Sequence, residues 1–120
     1  MRLLKIVFAP PVPTLCLLAL LLIGVLETAH AEDLPAFAVT ARDGRLLPER
    51  IEVPAGRRVK LTLKNEGASP VEFENLDLRV EKVLAPGAAS FVVVPSLKPG
   101  SYRFVDEFHP ASGQMLLIAK

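Results

Sequence analysis

The run V59-K-L-T-L-K64 alternates strictly, with Val59, Leu61 and Leu63 on one side of an extended chain and Lys60, Thr62 and Lys64 on the other. A period of two belongs to a strand with one buried and one wet face; wound into a helix, the same residues would scatter their apolar groups all round. The pattern recurs from residue 37 to the C-terminus, interrupted by the turn signals Asp43-Gly44, P54-A-G56, N65-E-G-A-S-P70, A85-P-G87 and P99-G100. No 3.6-residue stripe competes with it. The expected strands are Phe37 to Ala41, a segment around Arg50 to Val53, Val59 to Lys64, and Val71 to Glu74, whose alternation Leu76, Leu78 and Val80 continue. Further along come F91-V-V-V94, a continuous apolar run suited to a central strand, then Ser101 to Val105, and finally M115-L-L-I-A119, apolar on both faces. Seven to eight short strands with tight turns predict an all-β fold, a Greek-key β-sandwich, with no internal repeat and no second domain.

The N-terminal residues follow a different logic. Arg2 and Lys5 precede a nearly unbroken apolar run from Leu15 to Leu26, and A29-H-A31 has the small-x-small form of a cleavage site, so residues 1–31 read as a signal peptide. Counting from Ile6 lengthens the apolar stretch toward that of an uncleaved anchor, but Pro10, Pro11 and Pro13 interrupt it. Cys16 lies inside this segment and lacks the preceding small residue that lipoprotein processing uses. The expected working domain is 32–120, exported and periplasmic. Removing residues 1–31 from 120 leaves 89, without cysteine and therefore without a disulfide, so the apolar core must hold the domain together alone. Arg2, Lys5 and Glu27 go with the leader, so 14 basic and 13 acidic residues become twelve of each. A net charge of zero offers no bulk attraction to nucleic acid or to an anionic membrane.

Against that plain background the segment V105-D-E-F-H-P-A-S-G-Q-M115 gathers potential metal ligands. It holds His109, the one histidine left once His30 is removed, with Asp106 three residues before it and Met115 six after. Alternation puts Asp106 on the same face as Tyr102 and Phe104, which aims a carboxylate toward the core, where a charge needs a partner. His109 follows in a proline-containing turn that can bend back toward Asp106.

Taken in order, P48-E-R-I-E-V-P-A-G56, the strand ending in N65-E-G67, V71-E-F-E-N75, L84-A-P-G87, L97-K-P-G-S-Y-R-F104 and G113-Q-M115 resemble the cupredoxins. The likeness is nearest to the EfeO-type cupredoxin-like domains of bacterial periplasmic iron uptake systems, and it extends over the whole 32–120 segment. In blue-copper members of that fold the loop before the last strand reads Y-x-F-x-C-x-x-H, followed by a glycine and an axial methionine. Here Y102-R-F-V-D-E-F-H109 and G113-Q-M115 keep the Tyr, Phe, His, Gly and Met, with one extra residue before Met115 and Asp106 in the cysteine's place. The resemblance therefore implies Asp106, His109 and Met115 as metal ligands. The second histidine of a blue site is missing too, and composition alone excludes a type 1 copper centre.

The stretch corresponding to that missing histidine offers Glu72 and Glu74, and Glu81 and Glu107 are further candidate ligands. Parity sends Glu72 and Glu74 to the face opposite Val71 and Phe73, so only a bulge or a strand end would bring them to an interior metal. The implied cofactor is a copper or iron ion in a non-blue site, rich in carboxylate. The implied partners are a membrane iron permease and other periplasmic uptake components, with the domain holding iron or assisting oxidation of Fe(II). A ferroxidase-assisting role and a non-enzymatic metal-binding role both stay open, as do a periplasmic copper carrier and a metal-free interaction module. Each residue also has a plainer reading: Asp106 as a cap accepting backbone N–H bonds, Met115 as core filler, Glu72 and Glu74 as solvated strand residues opposite Lys60 or Lys64, and Arg57-Arg58 as a wet turn.

Overall fold

The computed structural model describes residues 33–120, and the leader expected at residues 1–31 lies outside the described residues. Nine strands follow one another without a helix between them: β1 (Ala36–Arg42), β2 (Arg45–Leu47), β3 (Arg50–Val53), β4 (Val59–Asn65), β5 (Val71–Asn75), β6 (Val80–Leu84), β7 (Ala89–Val94), β8 (Gly100–Asp106) and β9 (Gln114–Ala119). They form a four-stranded sheet in the order β2-β1-β4-β7 and a five-stranded sheet in the order β3-β9-β8-β5-β6. β1 runs parallel to β4 and β3 parallel to β9, while the remaining pairs are antiparallel. The all-β sandwich expected from the two-residue period is the fold observed.

Alternation supplies the core. On β4, Val59, Leu61 and Leu63 are buried with exposures of 1, 0 and 4%. They pack with Val39, Leu46, Phe73, Phe104, Met115 and Leu117 between the sheets. Phe73 and Phe104 stack with ring centroids 5.0 Å apart and planes 16° from parallel. At the end of β4 the buried Asn65 replaces missing backbone partners, donating from Nδ2 to the carbonyls of Ser69 and Leu84 and accepting the Gly67 N–H at Oδ1. The loop expected from N65-E-G-A-S-P70 is held closed from within by that side chain.

Two details differ from the sequence reading. The alternation does not continue through Leu76, Leu78 and Val80: β5 stops at Asn75, whose Oδ1 accepts the Leu78 N–H, and Arg79 takes a positive φ of 56°. Residues 76–79 thus form the turn of a β5–β6 hairpin, and Leu76 is left 66% exposed. The second difference concerns F91-V-V-V94, which lies in β7 at the edge of its sheet rather than in the centre, with Phe91 49% exposed. A run that is apolar on both sides reads as central because burial normally accounts for it; here only Val92 and Val94 are buried. The three-residue β2, too short for a period to register, brings the strand count to nine.

Candidate metal centre

The loop between β8 and β9 is organised by Asp106, the last residue of β8, which is 1% exposed. Its register partner across β5 is Phe73, and directly opposed residues of an antiparallel pair share a face, so the carboxylate points inward with the phenyl ring. Oδ1 accepts the N–H groups of Glu72, at 3.1 Å, and Phe108, at 3.0 Å. Oδ2 lies 2.8 Å from Nδ1 of His109. The Asp106 backbone closes the loop as well, its N–H donating to Gly113 O and its carbonyl accepting from His109 N. A charge buried at a strand end thus has three donors around it.

That arrangement fixes His109. Nδ1 is engaged by the Asp106 carboxylate, and Nε2 is the ring nitrogen left over for another partner. The imidazole is partly exposed and packs over the β1–β2 turn: a Cβ built on Gly44, at φ +74°, would stand 3.2 Å from the ring's Cδ2 and 3.2 Å from Ser112 Oγ. Ser112 Oγ donates to the Gly44 carbonyl at 2.7 Å. Gly113 is tighter still, since a Cβ there would sit 2.7 Å from Asp106 Cβ and 2.9 Å from His109 O. Sequence reasoning passed over Gly44 and Gly113 as loop supports, and the Asp43-Gly44 turn signal alone did not say that the turn would meet a loop 65 residues away. Met115 lies on the inward face of β9 opposite Phe104 and is 1% exposed.

The glutamates collect on the other side of the same sheet. Glu74 is the register partner of both Glu81 on β6 and Val105 on β8, and Glu72 shares its parity. One carboxylate oxygen from each of Glu72, Glu74 and Glu81 lies within 4.8 Å of the others. No bulge turns them inward, so the structure separates the expected ligands into two groups: Asp106 and His109 on the core side of β5, and the glutamates on its outer side.

Like charges govern the outer group. Its contact with the Glu107 carboxyl, followed by desolvation and the fields of Glu107, Glu72 and Glu81, pushes Glu74 up to about 7 from 4.5. Glu72 is raised by its contact with Glu81, then by desolvation and by the fields of Glu81, Glu107 and Asp106. Glu74 is only 4% exposed, although it faces outward from the sheet, because its neighbours close over it. Beside it, a surface groove of about 400 Å³ runs past Leu76, Asp77, Tyr102 and Glu107. Four carboxyl groups crowded in this way are stabilised by a proton or by a cation of high charge.

The family described as cupredoxin-like domain matches residues 14–119. An uncharacterized protein of Rickettsia prowazekii (strain Madrid E) is 31% identical over 80 residues, which is 67% of this chain and 64% of that protein; the chain thus spans somewhat under two thirds of that relative's length. Among solved structures, reduced auracyanin from Roseiflexus castenholzii superposes with a TM-score of 0.61 at 15% identity, covering 71% of this chain and 96% of auracyanin. The metal-binding domain of the Streptococcus pneumoniae Cu(I)-exporting P-type ATPase CopA does so with a TM-score of 0.63 at 11% identity, covering 71% and 84%. At these identities the two structures speak for the fold alone.

Proposed function

The chain belongs to the cupredoxin-like domain family, and from that premise we propose that it is an exported metal-binding protein that holds its ion on the outer glutamates Glu72, Glu74 and Glu81, with Glu107 beside them. The observation that carries this reading is the approach of three carboxylates to within 4.8 Å of one another around a Glu74 that is nearly buried. The interior position used by blue-copper relatives does not suit copper here. Cysteine and a second histidine are absent from the described residues, Asp106 spends both oxygens on loop hydrogen bonds, and His109 Nδ1 is occupied by Asp106. What remains inward is an imidazole offering Nε2 and the buried thioether of Met115, a thin donor set for any metal.

The outer set is all oxygen and anionic, a chemistry that suits hard ions such as Fe(III), or Cu(II) without sulfur, far better than Cu(I). An ion there would be held by Glu72, Glu74 and Glu81 and would supply the positive charge that the cluster lacks. Within this reading the domain serves iron acquisition in the periplasm beside a membrane iron permease, holding iron for delivery or assisting Fe(II) oxidation. The leader-like residues 1–31 and the likeness to EfeO-type domains support that setting.

The test is a titration of the full-length chain with Fe(III), Cu(II) and Zn(II), followed by elemental analysis. Glu72→Gln/Glu74→Gln/Glu81→Gln is expected to lose the ion, and His109→Ala to keep it. Loss in His109→Ala alone would move the site inward and favour a copper carrier. Failure of the wild type to take up any of the three ions would leave a metal-free interaction module.

A further inference from the structure

Four strands lie at the sheet edges: β2, β3, β6 and β7. Unpaired edges invite pairing with other chains, and proteins ordinarily protect them with charged side chains or proline. Three of the four are protected here, β2 by Arg45, β3 by Arg50 and Glu52, and β6 by Glu81 and Lys82. The fourth is not. β7 reads A89-S-F-V-V-V94, six residues without a charge or a proline, and its Phe91 side chain is half exposed.

The surroundings of this edge have a definite chemistry. Between the start of β6 and the end of β7 runs a groove of about 240 Å³ lined by Arg79, Val80, Glu81, Lys82, Phe91 and Val92, among others. Val80 and Val92 are buried and form an apolar floor. Across β4, Lys60 and Lys64 are the register partners of Val93 and Ala89, and Lys60 Nζ stands 4.4 Å above the Phe91 ring. Among the described residues none of Lys60, Lys64, Arg79 and Lys82 is in an ion pair, so four cations and the single Glu81 carboxylate border the edge.

We propose that β7 is a strand-addition site for an extended segment of a partner protein in which apolar and acidic residues alternate. The backbone of the added strand takes up the N–H and C=O groups on the side of β7 that no strand among the described residues pairs. Its inward side chains cover Val80 and Val92, and its outward carboxylates meet Lys60 and Lys64, with Arg79 and Lys82 at the mouth of the groove. A second copy of this chain fits less well. Antiparallel pairing of β7 with itself about Phe91 places Val93 opposite Ala89 of the copy and leaves all four β4 lysines of the pair without a carboxylate.

The probe is a synthetic blocked peptide of alternating valine and glutamate, added to the isotope-labelled full-length chain and followed by amide chemical shifts and hydrogen exchange. Shifts and slowed exchange are expected within Ala89–Val94. Phe91→Glu/Val93→Glu, which sets two carboxylates on the outward face of β7 directly beside those of the peptide, is expected to lose them, and Lys60→Glu to weaken binding by about tenfold or more, because a like charge then faces the peptide. The proposal is overturned by equal binding of an alternating valine–lysine peptide, by absence of binding, or by protection of β7 in the peptide-free chain through dimer formation.

Discussion

Replacing Asp106 with alanine tests whether this side chain is the loop's organiser. The substitution strips the partner from the N–H groups of Glu72 and Phe108 and from Nδ1 of His109, bonds of 3.1, 3.0 and 2.8 Å. Each deserted N–H costs about 1 kcal/mol where water can partly reach it, and a bond to an ionised acceptor is worth about 1.5–3 kcal/mol. Asp106→Ala should therefore destabilise the domain by about 4 kcal/mol, a large share of the roughly 5–15 kcal/mol that holds a domain folded. Asp106→Asn keeps an acceptor oxygen for the two backbone N–H groups and presents a neutral amide to the imidazole, so its cost should be about 1–2 kcal/mol. Urea denaturation of the metal-free protein measures both. With a slope of about 1–2 kcal/mol/M for a small domain, the alanine variant's midpoint should fall by about 2 M or more. A loss below about 1 kcal/mol for Asp106→Ala would refute the argument, since the carboxylate would then be dispensable to the fold and free for another role.

Other perturbations probe separate parts of the structure. Gly113→Ala brings a Cβ within 2.7 Å of Asp106 Cβ and 2.9 Å of a backbone oxygen, so it should cost about 2 kcal/mol or more and should lower protection of the His109 amide in hydrogen exchange. Phe104→Ala removes half of the aromatic stack at the centre of the core, with an expected loss of about 3–5 kcal/mol in a denaturation experiment. Glu74 binds its proton more tightly in the folded than in the unfolded state, its folded value being raised from 4.5 to about 7, so the stability it confers at low pH is lost as pH rises through that window. Without metal, Glu74→Gln should flatten the dependence of melting temperature on pH between about 4.5 and 7 and should be the more stable protein at pH 8.

The period of two made most of this fold legible, because Val59, Leu61 and Leu63 can be buried together only as a strand, and the same holds for Phe104 and Asp106, with the partly buried Tyr102 on their face. Parity also anticipated that Glu72 and Glu74 would turn away from the core. Three things lay beyond local pattern. The turn at residues 76–79 depends on Asn75 capping Leu78, while the sequence continues to alternate through it. The edge position of β7 is a property of strand order, which a local run of valines does not encode. Glu107 joins Glu74 only because β8 lies beside β5, a pairing more than thirty residues long in sequence. The single mixed site suggested by the loop therefore separates into two once the register is known, since Asp106 shares a face with Phe73, and Glu74 shares the opposite one with Glu81.

X-ray absorption at the metal edge of the Fe(III)- or Cu(II)-loaded full-length protein tests that separation most directly. The account predicts a shell of oxygen donors alone, without imidazole scattering or sulfur, and a spectrum unchanged in His109→Ala. Imidazole or thioether in the first shell would place the ion beside His109 and Met115 and would contradict it.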